Sequence, residues 1–383
     1  MLLPHFRHAT GRRMRRLAPA LCCWLLLLLG SGAAAQAQNR EPATFKDMLG
    51  ERVRLAQPAR QSVTLPMPAG SLLIALAGST DKLAGMHPDA HAYMQDGLLG
   101  RMFPGAPARI RADVTRGGFA PNVETLLQMQ PDLIWQWGHM GDDLIAPLRN
   151  AGLPVAALLY GNETRTREWI GLMGASLGQS ERAQAHLAWR RDVEQRIRAV
   201  TARLSEHERP RVMLLSRYRP EMRAASSASN FQFDVELAGG RNVAASVGNA
   251  NAVNIEQIMA WNPQVILLNN FEPGLSPQSL YDDPLFAGID AVRNQRVYRI
   301  PAGGYRWDPP GQESPLYWQW LSMVLHPQRF DWPMRQLIRD SYRALYGYEA
   351  TEADLDFVLH TQLNARAQGY ARFLRANAER ARP

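Results

Sequence analysis

One phrase occurs twice in this chain, and it constrains the fold more than any other feature. The first copy runs Asn122-Val-Glu124-Thr-Leu126-Leu127-Gln-Met-Gln-Pro131-Asp132-Leu133-Ile134. The second runs Asn254-Ile-Glu256-Gln-Ile258-Met259-Ala-Trp-Asn-Pro263-Gln264-Val265-Ile266. Asn, Glu, Pro and the final Ile fall in register. In each copy Asn is a good N-cap, and a Glu two residues later sits where the helix dipole favours negative charge. Apolar residues follow at helical spacing (Val123, Leu126, Leu127; Ile255, Ile258, Met259). Proline then stops the helix. A β-forming run comes next, Leu133 to Trp135 and Val265 to Leu268. Two copies of a capped helix feeding a buried strand predict two α/β lobes built alike, with a cleft between them.

The 383 residues suffice for one large or two medium domains. The formal charge of +8 is unevenly placed. Arg7, Arg12, Arg13, Arg15 and Arg16 lie in residues 1–37, which contain no acid. Without these five the remainder carries +3 (+8 less 5), which gives no argument for nucleic-acid binding. Residues 1–37 read as a cleavable export signal: a basic start, an apolar run Leu21–Leu29 too short to span a bilayer, then small residues. Cleavage after Ala37 or after Ala35 both fit. An uncleaved anchor is the alternative, and the arginine pairs leave general and twin-arginine export open. Cys22 and Cys23 lie at the front of the apolar run, against a lipid anchor. The mature chain then holds no cysteine, hence no disulfide, thiolate nucleophile or cysteine metal site.

Alternating strand and helix patterns predict mainly parallel sheets faced by helices. The predicted layout is an N-terminal lobe over 38–178, one long rigid linking helix within 179–208, and a C-terminal lobe with closing helices over 209–383. The linking pattern, Glu181 to Glu206, has no Gly or Pro. An ordinary surface helix inside one lobe is the competing reading. Pro66-Met-Pro-Ala-Gly70 reads as a breaker before a helix Leu72–Ala77 capped by Ser71. Residues 87–121 are rich in Pro, Gly and Arg, with only hints of short strands at Leu83–Met86 and Arg109–Arg111, and Gly303-Gly304 reads as a turn.

In parallel α/β sheets ligands sit beyond the carboxyl ends of the strands. Five such ends carry suggestive loops. They supply Trp135, Trp137 and His139; Tyr160; Arg217 and Tyr218; Asn270 and Phe271; and Tyr305, Arg306 and Trp307. Aromatic faces and guanidinium forks together suit a polar, anionic, partly planar ligand. Taken singly, each aromatic is equally a packing residue and each arginine a solvated charge. His87 and His91 are four apart, but Pro88 interrupts a shared helix face, and no third metal ligand follows at suitable spacing. There is no phosphate loop and no His-Glu-x-x-His; Gly174-Ala-Ser176-Leu-Gly178 has the letters of a Gly-x-Ser-x-Gly elbow, but no strand pattern precedes it. No catalytic residue, resident metal or cofactor is expected.

These residues carry a family resemblance. Gln57-Pro-Ala-Arg60, the two helix-Pro-strand phrases, Ala238-Gly-Gly-Arg-Asn242-Val, Glu313-Ser-Pro-Leu and His326-Pro-Gln-Arg-Phe330 resemble periplasmic substrate-binding proteins of the iron-siderophore, haem and cobalamin class. Such proteins serve ABC importers. The resemblance spans roughly residues 42–350. It implies two α/β lobes on one long helix that move little, and a monomer that hands a small-molecule metal chelate to an inner-membrane ABC permease. It also implies one exposed docking carboxylate per lobe, Glu124 and Glu256. The iron-siderophore reading comes first; haem, cobalamin or an oxyanion are alternatives within the class. An exported enzyme on the same scaffold is the alternative outside it. The loop Pro66-Met-Pro departs from the usual polar version.

Overall fold

A computed structural model describes residues 42–248 and 251–374. The expected signal segment 1–37, both candidate cleavage sites and both cysteines lie outside the described residues. An antiparallel hairpin, Ala43–Lys46 with Arg52–Leu55, comes first. The first sheet follows: β1 Ser62–Thr64, β2 Leu83–Met86, β3 Leu133–Trp137 and β4 Val155–Leu158. Every pairing is parallel, in spatial order β2-β1-β3-β4. The second sheet uses β5 Arg211–Arg217, β6 Arg223–Ala224, β7 Arg241–Asn242, β8 Val265–Leu268 and β9 Val297–Arg299. Strands β5, β8 and β9 run parallel in that order, and the short β6 (antiparallel) and β7 (parallel) share the other edge of β5.

The helices that matter for the site are α1 Met67–Ala77, α2 Pro88–Asp96, α3 Val123–Met129, α4 Glu163–Ser176 and α5 Ser180–Thr201. They continue as α6 Phe231–Leu237, α7 Ile255–Trp261, α8 Ser314–Leu325, α9 Met334–Tyr346 and α10 Glu352–Val358.

The duplicated phrase does the same mechanical task twice. Helices α3 and α7 end not at proline but one residue earlier, at Gln130 (φ 48°) and Asn262 (φ 42°), both left-handed. Proline then prevents any continuation. The next side chain reaches back to the start of the preceding strand. Asp132 accepts from the backbone N–H groups of Arg60 and Gln61 at 2.7 and 2.9 Å, and Gln264 accepts from that of Arg211 at 3.0 Å. These bonds fix the register in which Leu133 meets Ser62 and Val265 meets Val212. The N-caps differ. Asn254 forms a reciprocal capping box with Gln257, whereas Asn122 instead donates to Thr125 and to the Asp113 carbonyl.

Proline misled the reading elsewhere. Helix α1 starts at Met67, inside the expected breaker, because a first-turn proline such as Pro68 lacks only an N–H that the helix leaves unpaired. Ser71 is not its cap; its hydroxyl donates to Pro68 and Gln312. Pro88 likewise opens α2, and residues 88–109 form three helices that the sequence reading did not expect, while the hinted strand Leu83–Met86 is β2 and Arg111 makes a single bridge to Gly85. His87 caps α2 and meets the Gly118 carbonyl, while His91 meets that of Pro107, so both rings are tied to backbone.

Helix α5 is the linking helix. It stops at Thr201, with 206–208 a separate 3₁₀ turn. It packs on α4 and α8, and α8 is buried along its whole length. One apolar core therefore runs from Leu72 and Trp135 in the first lobe, through Val193 and Ile197 of α5, to Leu214 and Trp318 in the second. Arg182, His186 and Arg190 line one face of α5 at four-residue spacing, and all three bond groups outside it. Arg190 is fully buried. It pairs with Glu163 at the start of α4, donates to the Gly311 carbonyl at 2.7 Å, and lies over Trp318. Removing it leaves the buried Glu163 carboxylate with Arg167 alone as its charged partner. Arg190→Met should cost about 3 kcal/mol in urea unfolding, and adding Glu163→Leu should recover more than half of that loss.

Candidate ligand cleft

The strand orders create two switch points, places where successive connections leave a sheet in opposite directions. One lies between β1 and β3, the other between β5 and β8. The carboxyl ends at both border a single cavity of ≈ 380 Å³. The first lobe contributes Met67 and Pro68 after β1, Trp137 at the end of β3, and Tyr160 after β4. The second contributes Ser216 and Arg217 at the end of β5, Asn269 and Phe271 after β8, and Tyr305 and Asp308 from the loop after β9. That volume lies in the range of pockets that hold drug-sized ligands.

Five expected residues meet on this cavity: Trp137, Tyr160, Arg217, Phe271 and Tyr305. Burial pushes the Tyr160 and Tyr305 hydroxyls up to about 12, so both stay neutral. Arg217 is exposed, and its guanidinium has no hydrogen bond or ion pair among the described residues. The other expected residues stand elsewhere. Trp135 is completely buried and stacks on Phe45 at 6.1 Å, because a strand covered on both faces points alternate residues into the core. Trp307 is buried too, its indole donating to Glu313 at 2.6 Å. His139 sits beside the cavity, edge-on to Trp137 at 5.1 Å and stacked on Tyr160 at 6.3 Å. Its pKa is lowered by desolvation.

Tyr218, Asn270 and Arg306 support the walls. Tyr218 bonds Asp283 and Glu272. The Asn270 amide donates to the Ile300 carbonyl and accepts from Arg299. Arg306 lies 4.3 Å from the ring centres of both Tyr93 and Phe271 and donates to Tyr305, so its charge braces the aromatic wall.

Asp308 is the functional candidate that sequence reasoning passed over. It stands in the loop singled out for its aromatics and arginine. Its Oδ1 is buried without a hydrogen-bond partner on the cavity wall. Desolvation raises its pKa to about 6, against the nearby charges of Arg306 and Arg299. Asn251 was also missed. It lines the cavity in a left-handed conformation (φ 55°) with its side-chain oxygen buried and unpartnered. No group of three or more His, Cys, Asp or Glu converges as a metal site among the described residues. Among the described residues, the cavity thus offers one free cation, two acceptors lacking donors, and aromatic walls.

A family model described as periplasmic binding protein matches residues 106–303. The molybdate-binding protein MolA of Haemophilus influenzae is 25% identical over 252 residues, 59% of this chain and 70% of its own. The iron-uptake system-binding protein of Bacillus subtilis is 22% identical over 312 residues, 75% and 94% of the two chains. A solved periplasmic solute binding protein from Veillonella parvula superposes with a TM-score of 0.77 at 26% identity, over 85% of this chain and 99% of its own.

The Asp308 geometry sets a pH signature. Its folded pKa, about 6, lies above the ordinary 3.8. Between these values the folded state binds the extra proton, so this group's contribution to stability falls as pH rises through 6. Asp308→Asn should raise the melting temperature by a few degrees at pH 7.5 and leave it unchanged at pH 4, measured by calorimetry across that range.

Proposed function

The chain belongs to the periplasmic binding protein family, and from that premise we propose that it captures an anionic metal chelate, an iron-siderophore first, between its lobes for an ABC importer. Members of the family deliver small ligands to ABC permeases, and the family implies a periplasmic location. The proposal adds the ligand class, the cavity residues, the monomeric state and residues 1–37 as the export signal.

The observation that carries the ligand class is the pairing of Arg217 with Asp308 on one cavity. The guanidinium calls for acceptors on the ligand, and the buried Oδ1 calls for a donor. A bare oxyanion presents acceptors only. It is also of benzene's order of size, and a cavity of about 150 Å³ already holds benzene, less than half the volume found here. A bare cation would meet Asp308 without enough other ligands to complete a site. A metal wrapped in an organic shell offers charge, hydrogen-bond donors and planar faces together. Trp137, Tyr160, Phe271 and Tyr305 would pack on that shell. The oxyanion reading has one point in its favour, the similarity to the molybdate-binding MolA.

Titration of the purified protein with an anionic ferric chelate, haem and molybdate, followed by tryptophan fluorescence, separates these readings. The ferric chelate should quench Trp137 and bind at least tenfold more weakly to Arg217→Ala. Tight molybdate binding without ferric-chelate binding would replace the chelate with the oxyanion. Turnover of a bound compound would replace the receptor with an enzyme.

Glu124 and Glu256 are proposed to dock the permease. Each is an exposed carboxylate in the first turn of α3 or α7, with no side-chain partner among the described residues. One turn on, and so on the same helix face, stand Leu127 and Met259, 48% and 53% exposed. The helix dipole explains a Glu at these sites, but not an exposed apolar residue beside each one. A carboxylate flanked by an apolar side chain on each lobe suits paired arginines set in an apolar permease surface. Reversing both charges, Glu124→Arg with Glu256→Arg, should leave ligand affinity unchanged and abolish uptake in whole cells. Unchanged uptake would remove the docking role.

A further inference from the structure

A second cavity, of ≈ 350 Å³, lies away from the cleft and shares no lining residue with it. The two sit at opposite ends of α1. Met67 and Pro68 border the cleft, while Ala75 and Leu76 border the second cavity. At 1.5 Å per residue the two ends are roughly 12 Å apart. The walls come from three helices. Helix α1 gives Ala75 and Leu76, α5 gives Ala185 and Trp189, and α9 gives Leu337 and Leu345. Arg182 also lines the cavity. It donates to the carbonyls of Ala75 and Leu76 at 2.9 Å and to those of Ala344 and Leu345 at 3.2 Å. Its charge therefore ties the C-terminal ends of α1 and α9 together.

One polar atom in this apolar setting has no partner. His186 is 6% exposed and lines the cavity. Its Nε2 lies 2.8 Å from the Gln312 carbonyl oxygen, which can only accept, so Nε2 carries the proton. Burial and the charges of Arg190 and Arg182 hold the ring neutral, with a pKa lowered to about 3. Nδ1 is therefore a bare acceptor, and it is buried with no hydrogen-bond partner. The Trp189 ring centre is 5.5 Å from the imidazole. Asp340 and Ser341 also line the cavity, but Asp340 already accepts from Gln336 and Arg343. Nδ1 is thus the buried acceptor left open in a mainly apolar wall, and a buried water needs two to four polar partners. An apolar molecule with a single donor meets that demand better.

We propose that this cavity is a second binding site, for a small planar aromatic molecule bearing one O–H or N–H donor, of the phenol or indole type. The volume is roughly twice that of a cavity known to hold benzene, so a bicyclic ring fits. The donor bonds His186 Nδ1, and the ring packs against Trp189, Leu337 and Leu345. Because the walls come from α1, α5 and α9, the bound ring braces the linking helix against elements of both lobes. The site stands independently of what the cleft binds.

The test uses the full chain with indole, phenol and toluene as probes, read by thermal melting and by the imidazole nitrogen resonances of nitrogen-15-histidine-labelled protein. Indole and phenol should raise the melting temperature in proportion to the logarithm of concentration and shift the His186 Nδ1 resonance. Toluene, lacking the donor, should bind about fivefold more weakly. Ala185→Trp fills the cavity from an exposed position and leaves the His186–Gln312 bond intact; it should abolish indole binding. Equal affinity for toluene and indole, an unmoved Nδ1 resonance, or indole binding that survives Ala185→Trp would each overturn the proposal.

Discussion

The carboxylate of Glu313 is the point on which the two-lobed arrangement rests. It accepts four hydrogen bonds at once: from the Gly304 N–H at 2.9 Å, the Tyr346 hydroxyl at 2.6 Å, the Trp307 indole at 2.6 Å and the Tyr342 hydroxyl at 3.0 Å. Burial alone raises its pKa, and the four donors pull against that. They come from the loop after β9 and from α9, so one side chain fixes a loop to a helix. Gly303 and Gly304 lie in a tight bend closed by the Ala302–Arg306 bridge, and they are glycine for a further reason: a Cβ on either would collide with Glu313 and with Tyr342 or Tyr346. The neighbouring Gln312 extends the network to Ser71 of α1 and to His186 of α5. Arg190 grips the adjacent Gly311 carbonyl. The stretch 303–313 is therefore pinned to both lobes and to the linking helix together.

Ligand binding inherits its character from that pinning. Tyr305 and Asp308, which face the cavity, are carried on the pinned loop. Because one apolar core crosses the seam, swinging the lobes apart would expose apolar surface as well as break the Glu313 and Arg190 contacts. A hinge of this kind favours a cleft formed in advance, with ordering costs met during folding and not at binding. Asp308 fits the same logic. A carboxyl buried without a partner weakens the empty protein at neutral pH, and such strain persists where a ligand supplies the missing group.

Much of this architecture was legible in the sequence, for a local reason. The repeated phrase specifies an apolar helix face, a proline that bars continuation and a buried strand within thirteen consecutive residues, and its Asn caps the helix at Asn254 though not at Asn122. Each of these is a near-neighbour constraint. The linking helix was legible too, from an uninterrupted helical pattern. What was not legible depended on partners far along the chain. Nothing in Trp135-Gln-Trp137 distinguishes the tryptophan that enters the core from the one that reaches the cavity; strand alternation is blurred when both faces are covered. Arg306 and Arg217 look alike in sequence, and only three-dimensional neighbours make one a brace and the other free. Asp308 was missed because its role lies in having no partner, a property no local pattern encodes. The prolines at Pro66, Pro68 and Pro88 were read as breakers because the same residue ends one helix and begins another.

The distribution of repeated and unrepeated features has a physical consequence. Positions that match between the two copies fall into two groups. Pro131 with Pro263 and Asp132 with Gln264 hold strand to helix. Glu124 with Glu256 and Leu127 with Met259 remain outside, unpaired, at equivalent places on two similar lobes. The cavity residues differ in kind between the lobes: Trp137 faces the cavity in one copy and Asn269 at the equivalent place in the other, and Asp308 and Arg217 belong to one lobe alone. A surface built from repeated positions is nearly symmetric and suits a partner that is itself built of like halves. A cavity built from unlike residues at equivalent places is free to be asymmetric, as a chelate with charge on one side and donors on another requires. On the proposed reading, the fold can keep its transporter while changing its cargo, because the two tasks draw on different residues of the same scaffold.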